Sequence, residues 1–448
     1  MRTIRVKVYG QSVYLSGAMI TTDTKSYTSD ANGYVYIRGG EAMKGTVSAL
    51  GYGSNTFDFP SITNDTSHTL EVYAVVDVKF VVKGQFGAIV TGATVTCGGK
   101  SKETNLYGEC ILQLAKGPYD YEVTHPDHYD AKGTVNVGTS AMSVNVKMNI
   151  NPIAMNPEEN GNIQMMLTGP SCSISVNSPT ANYVIDWGDG MTENASGTGS
   201  KSYPHTYGDN GLYQVEVRNC GDVTSCMAST SCLVAYWSIG GSKVYNITFR
   251  GCSKLIHFGK DVFKNDTNRT NASSLLYECT SLTSVDLTSL ASWVNVTNCS
   301  GLLYGCTSLT SVDLTPLASW VNVTNCNYLL YGCTSLTSVD LTPLASWVKV
   351  TNCIYLLYGC TSLTSVDLTP LASWTKMTNN SSFIYNCSKL IFVTVLSTTP
   401  FPLTSGALTN GNNCPIYVPD DAVDTYKTAT NWSAYASRIK PISEKTES

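Results

Sequence analysis

The chain has 448 residues, a charged fraction of 14% and a net charge of −5, which sets a prior of three to four domains. It holds no basic patch of the kind a phosphate backbone demands, so nucleic acid is excluded as a partner, and no run of roughly 18 apolar residues offers a membrane span. The stretch from Met1 to Gly17 lacks the continuous apolar core of about 7–15 residues of a secretory signal and reads directly as a strand, an expectation that favours another export route, such as release in a virion from a lysing host.

Sixteen cysteines raise the question of disulfides or metal. No C-x-x-C pair occurs, and zinc sites usually need such close pairs. Instead Cys252, Cys279, Cys306, Cys333, Cys360, Cys387 and Cys414 stand 27 residues apart without a slip. A column at one phase of a repeat reads as a spine of small buried thiols. No cofactor and no metal site is expected.

Residues 1–74 alternate apolar and polar over Thr3–Tyr9, Val13–Leu15, Tyr34–Ile37 and Thr46–Ala49, with a turn signal at Ser29 to Gly33. That is the pattern of a small antiparallel sandwich. Residues 75–150 repeat the plan, with a strand at Val78–Val82 and Cys97 and Cys110 placed to face each other across neighbouring strands. His125 and His128 form an H-x-x-H pair where a strand passes into a loop, read as structural rather than as a metal site. Asn151 to Gly161, rich in Pro, Asn and Glu, reads as a linker. The stretch from Ser16 to Ile37 and the later Gly51-Tyr52 resemble carboxypeptidase regulatory-like (transthyretin-like) domains.

In residues 151–235, Trp187 supplies a core anchor, Gly188 and Gly190 permit a positive φ, and Asp189 can bond its own turn. Tyr213, Val215 and Val217 give one buried strand face. The run Tyr183 to Gly190, followed by Pro204-His205-Thr206-Tyr207 and Gly211 to Val215, resembles a PKD domain, which implies an Ig-like sandwich. Asp186, Asp189 and Glu193 are read as local hydrogen-bond acceptors in preference to a calcium cluster. A disulfide among Cys172, Cys220, Cys226 and Cys232 is left open.

Residues 236–448 hold the repeat block. A fixed period of 27 residues means stacked units, none of which buries its apolar face alone. Within one unit Leu309, Val312 and Leu314 point inward and Asp313 outward, as a strand of period two requires, and Leu302-Leu303-Tyr304 reads as a short helical turn closing on the cysteine. Asn298, Asn325, Asn352 and Asn379 form a ladder expected to bond turn backbone. Asp286, Asp313, Asp340 and Asp367, flanked by Ser284, Ser311, Ser338 and Ser365, form an outward row with rungs about 4.8 Å apart, the best candidate ligand-binding face. These units resemble BspA-like leucine-rich repeats, and Ile416 to Ser433 resembles the closing strand and helix that follow them. The resemblance implies a surface adhesin. Cys299, Cys326 and Cys353, and Trp293, Trp320, Trp347 and Trp374, depart from its pattern and read as packing variations.

The fold expected is therefore mainly β, tandem Ig-like or transthyretin-like sandwiches followed by a leucine-rich-repeat solenoid. No catalytic constellation accompanies it. The expected function is non-enzymatic: a virion fibre or decoration protein of a phage infecting gut Bacteroidetes, anchored by its N-terminal modules and binding a host-surface glycan or protein through residues 236–448. The alternatives are a bacterial cell-surface adhesin and a glycan-binding accessory of a hydrolase system. A homo-oligomer is compatible with the sequence, although no coiled-coil heptads support one.

Overall fold

The structure is a computed structural model that describes residues 1–8, 13–38, 41–151, 162–209, 211–238, 244–245, 247–264, 266–409 and 413–445. The chain is mainly β and divides into two compact units, Met1–Met155 and Asn156–Ser448. From Pro152 onward, the linker expected up to Gly161 lies outside the described residues.

The first unit holds two sandwiches of one plan. In the first, β1 (Arg2–Val8), β2 (Met19–Thr22), β3 (Ser26–Thr28), β4 (Tyr34–Ile37), β5 (Met43–Ser48), β6 (Tyr52–Gly53), β7 (Asn55–Phe59) and β8 (Thr66–Ala74) form sheets ordered β4-β1-β8-β6 and β3-β2-β5-β7. Alternate residues such as Ile4, Val6, Val35, Ile37, Leu70 and Val72 fill the space between them. The turn read at Ser29–Gly33 is closed by Asp30, whose Oδ1 accepts the N–H groups of Asn32 and Tyr34, with Gly33 at φ 79. Val13–Leu15 is not a strand. It makes a single bridge, Lys7↔Tyr14, because Tyr14 leaves the core to cover the Arg5 guanidinium at 3.2 Å.

The second sandwich has β9 (Val76–Gly84), β10 (Thr94–Cys97), β11 (Lys100–Glu103), β12 (Glu109–Leu114), β13 (Gly117–His125), β14 (His128–Val137) and β15 (Met142–Met148), ordered β12-β9-β15 and β11-β10-β13-β14. In both sandwiches the first strand runs parallel to the last, β1 with β8 and β9 with β15. Cys97 and Cys110 lie on opposite sheets rather than on neighbouring strands, both buried in the core between them.

The second unit opens with β16 (Ile163–Thr168), β17 (Ser171–Ser178), β18 (Val184–Asp186), β19 (Thr192–Asn194), β20 (Gly199–Thr206), β21 (Leu212–Arg218), β22 (Ser225–Ala228) and β23 (Leu233–Ser238). Sheet β20-β17-β22 faces a longer sheet, β19-β18-β21-β16-β23, which β24 (His257–Phe258) extends in parallel with β23. The buried apolar cluster runs from Ile163 to Ile439 across the 235/236 boundary, so this sandwich and the repeats share one core.

Beyond β24 the chain winds in coils of 27 residues bonded coil to coil. Along one arc the N–H groups of Cys299, Gly301, Leu303 and Gly305 donate to Asn325, Asn327, Leu329 and Tyr331 of the next coil at 2.7–3.0 Å. The intervening Leu302 and Tyr304 bond three residues back, which tightens the arc into the expected turn. The Leu309–Leu314 stretch keeps its in-out-in burial but makes one backbone bond to each neighbouring coil, the Thr310 N–H to Thr283 at 3.1 Å and the Thr337 N–H to the Thr310 carbonyl at 3.4 Å. Among the described residues beyond β24, paired strands appear toward the end of the block, where β25 (Ser365–Asp367), β26 (Phe392–Thr394), β27 (Ile416–Val418) and β28 (Ile439–Pro441) form a parallel sheet covered by α1 (Val423–Thr428).

Candidate binding surfaces of the repeat block

Each coil is joined to the one before it by side-chain donors as well as by backbone. The indole Nε1 of Trp320, Trp347 and Trp374 donates to the carbonyls of Leu290, Leu317 and Leu344 at 2.8–2.9 Å. The same three indoles, with Trp293, stack at 6.3 Å between centroids and are fully buried. The thiols of Cys306, Cys333, Cys360 and Cys387 donate to the carbonyls of Leu276, Leu303, Leu330 and Leu357 at 3.2–3.3 Å. Burial pushes the Cys306 thiol up to about 12. All sixteen cysteines are buried thiols, none of them in a disulfide. Threonines complete the set: the hydroxyls of Thr324, Thr351 and Thr378 reach the carbonyls of Thr297, Thr324 and Thr351 at 3.0–3.1 Å.

The asparagine ladder bonds turn backbone as its periodicity suggests. Oδ1 of Asn298, Asn325 and Asn379 accepts the N–H two residues on. Asn352 is the exception. Its Oδ1 is buried without a partner, because Asn327 reaches up one coil and takes the Ile354 N–H at 2.8 Å.

The Asp286, Asp313, Asp340 and Asp367 row is exposed on the outside of the coils, beside exposed Ser284, Ser311 and Ser338 and half-buried Ser365. Each carboxylate also has a local task. Its Oδ1 accepts the N–H of Thr288, Thr315, Thr342 or Thr369 at 2.8–2.9 Å and opens a short 3₁₀ turn, Thr315–Ser319 in the second copy. The hydroxyl and N–H of Thr315 hold the Asp313 carboxyl below its ordinary value. One oxygen of every aspartate is therefore committed to the fold, which leaves Oδ2 for solvent or ligand.

The other residues weighed from sequence are engaged locally. Asp186 pairs with Arg218 at 2.6 Å and caps Gly188. Asp189 accepts the Met191 N–H and pairs with His205 at 2.8 Å, and His205 stacks on Trp187 at 4.5 Å. Burial would raise the Asp189 carboxyl, but these bonds outweigh it and hold it low. The Nδ1 atoms of His125 and His128 lie 3.2 Å apart, and burial, then the neighbouring imidazole, lowers His128 to about 4. Among the described residues no group of three or more His, Cys, Asp or Glu is placed to hold a metal. No described helix is long and apolar enough to cross a membrane.

No protein-family model matches the chain, and no curated protein matches it. Two solved structures show weak likeness. One is the Bacillus anthracis TIE protein, 10% identical over 47% of this chain and 47% of that chain, with a TM-score of 0.18. The other is a Streptococcal ancillary pilin, 12% identical over 48% of this chain and 86% of that chain, with a TM-score of 0.17. The chain spans about half the length of the first. Likeness at this level carries no functional argument.

One surface was not singled out from sequence. Tyr277, Tyr304, Tyr331, Tyr358 and Tyr385 form a half-buried column of near-parallel rings, with centroids 4.3, 4.5, 4.7 and 5.1 Å apart in turn. Arg250 caps the column at Tyr277, 5.0 Å from the ring. Tyr328 and Tyr355 add a second pair of rings beside it, 5.2 Å apart. The signal was present as a tyrosine at one phase of every unit, overshadowed by the apolar columns.

Proposed function

We propose that this chain is a non-enzymatic adhesion or display protein whose stacked coils form a leucine-rich-repeat solenoid of the BspA-like type. Its three small sandwiches, regulatory-like over residues 1–74 and 75–150 and PKD-like over 151–235, act as anchor and spacer for residues 236–448. The observation that carries the reading is repetition of solvent-facing groups at coil pitch, the exposed Asp row with its serines and the half-buried tyrosine column. Such an array offers a partner many equivalent weak contacts, and many weak contacts sum to strong binding when geometry lets them engage together.

The carrier we propose is a virion, as a fibre or decoration protein, with a bacterial surface as the alternative. The ligand class is a host-surface glycan or protein, and the Ser/Asp row is the face assigned to it through the free Oδ2 atoms. Binding of the full chain to bacterial cells, epithelial cells and a glycan array tests the adhesion reading, which fails if none is bound. Asp313→Asn with Asp340→Asn tests the face: binding falls if the acidic row contributes, and unchanged binding removes the row from the site. Mass spectrometry of purified particles against cell envelopes decides the carrier.

A further inference from the structure

The tyrosine-lined arc has a feature that packing alone does not require. Tyr328 and Tyr355 sit at φ 58 and 57, where the equivalent residues of neighbouring coils are Ser274, Gly301 and Ser382. For a bulky aromatic side chain this region is a genuine outlier, costing roughly 1–2 kcal/mol. Backbone strain of this kind clusters at functional positions. Here it places two extra rings on the central coils alone, tilted 58° and 84° against Tyr331 and Tyr358 of the main column.

The surroundings define what these rings can meet. Gly305, Gly332 and Gly359, at φ 68 to 73, leave bare backbone beside the rings, and the same position carries Glu278 and Asn386 at the two ends. A Cβ on Gly332 would find only the backbone of Gly305, at 3.8 Å. The arc from Cys299 to Ser308, and its equivalents Cys326–Ser335 and Cys353–Ser362, contain no charged residue. Burial, then bonding to Tyr277, pushes the Tyr304 phenol up to about 12. Because the column rings stack face to face, they offer hydroxyls and ring edges, while the tilted pair adds apolar surface.

We propose that this arc, centred on Tyr328 and Tyr355 beside the tyrosine column, binds a neutral polysaccharide chain laid along the stack of coils. Hydroxyls exchange hydrogen bonds with hydroxyls in both directions, and no charge on the central coils needs a counterpart in the ligand. The bare glycine backbone admits a flat sugar ring, and the site recurs at every coil, which suits a polymer of repeating units. An extended peptide is disfavoured, since Gly305, Gly332 and Gly359 already donate their N–H groups to Tyr331, Tyr358 and Tyr385 and leave no free edge for strand addition.

The proposal rests on the reading of residues 236–448 as a binding surface and assigns it a second face and a ligand class. It is tested with the full chain by affinity electrophoresis and calorimetry against soluble amylose, mixed-linkage β-glucan, mannan and arabinogalactan, with polygalacturonate and heparin as acidic probes. Retention by a neutral polymer and not by the acidic ones is expected. Y328G/Y355G, which restores the residue found at Gly301, relieves the strain and should lower that binding at least tenfold with Tm unchanged or raised. Y328F/Y355F keeps the rings and their packing and should weaken binding severalfold through loss of the hydroxyls alone. Binding to acidic polymers only, no binding to any neutral polymer, or undiminished binding by Y328G/Y355G overturns the proposal. Adhesion of the full chain to cells without binding to any neutral polymer sinks this site and leaves the adhesion reading standing.

Discussion

The sandwiches of the first unit and the coils of the repeat block are both β-rich, yet they are held together differently. In a sandwich the strands pair through backbone, and the side chains between sheets are almost all apolar, as with Val78, Phe80 and Val82 against Leu112 and Leu114. A side chain there needs only roughly the right size and polarity. In the coils, backbone pairing is confined to short arcs, and buried indoles and thiols, with threonine hydroxyls at the surface, each reach a carbonyl of the previous coil. Every such donor needs its acceptor one repeat away and is itself part of the next repeat's surroundings. A change in one coil therefore removes a bond from its neighbour as well as a contact of its own.

The sharpest way to break this comparison is to remove one indole from the middle of its stack. Trp320→Ala takes away a fully buried side chain, its contacts with Trp293 and Trp347, and the bond to the Leu290 carbonyl. Loss of a buried tryptophan costs about 3–5 kcal/mol. Trp320→Phe keeps most of the volume and loses only the indole bond, since the Leu290 carbonyl still accepts the Trp293 N–H at 3.0 Å, for about 0.5–1.5 kcal/mol. Denaturant unfolding followed by hydrogen exchange should show the loss in the repeat block and no change at residues 1–151. If Trp320→Phe matches the wild type, the indole bond is not what joins the coils.

Cysteine gives the next contrast. Cys333→Ser keeps a donor facing the Leu303 carbonyl, now with a hydroxyl, so stability should change by less than about 1 kcal/mol. Cys97→Ser puts a hydroxyl into the apolar core of the second sandwich and should cost about 1–3 kcal/mol. Equal effects at the two sites would show that the thiols of the coils act as filler and not as donors.

Acid separates the regions more gently. His128 is neutral in the folded state, with its value lowered to about 4 by burial and by His125. Protonation therefore favours the unfolded chain. The stabilisation is complete above the unfolded value near 6.5 and declines as pH falls from there towards 4. Protection of the β13–β14 hairpin amides, taken relative to the intrinsic exchange rate at each pH, should fall over that window, and His128→Phe should remove the dependence. Protection that stays flat between pH 6.5 and 4 would contradict the lowered value.

Much of this organisation was legible in sequence because it rests on periodicity. Alternation located β4, β9 and the Tyr213–Val217 face, and the constant spacing of cysteines marked the coils before any contact was known. Val13–Leu15 misleads because its alternation is real while Tyr14 is spent on Arg5, a pairing between separate stretches that local pattern does not carry. Cys97 and Cys110 were assigned to neighbouring strands for a similar reason, since sheet membership is decided by topology. The surface was harder to read than the core. A tyrosine at fixed phase is visible, but the face-to-face stacking of the column and the positive φ of Tyr328 and Tyr355 follow from coil geometry that only the folded chain displays. The aspartate row was found for its outward phase, and its capping of Thr288, Thr315, Thr342 and Thr369 was not foreseen.

That double use of the aspartates sets up the smallest effect and the finest test of how the coils work. Asn keeps an Oδ1 acceptor for the Thr342 N–H, so Asp340→Asn should leave the Tm within a degree or two. Asp340→Ala removes that acceptor, and loss of one such hydrogen bond typically costs about 1 kcal/mol. If repulsion along the row outweighed capping, Asp340→Asn would raise stability, most visibly at low salt where screening is weak. Measuring both variants at low and high ionic strength therefore separates the two roles. A salt-independent loss confined to Asp340→Ala assigns the row to the fold, while a low-salt gain in Asp340→Asn shows a charge row kept at a cost to stability, which is what a ligand-binding role for Oδ2 requires.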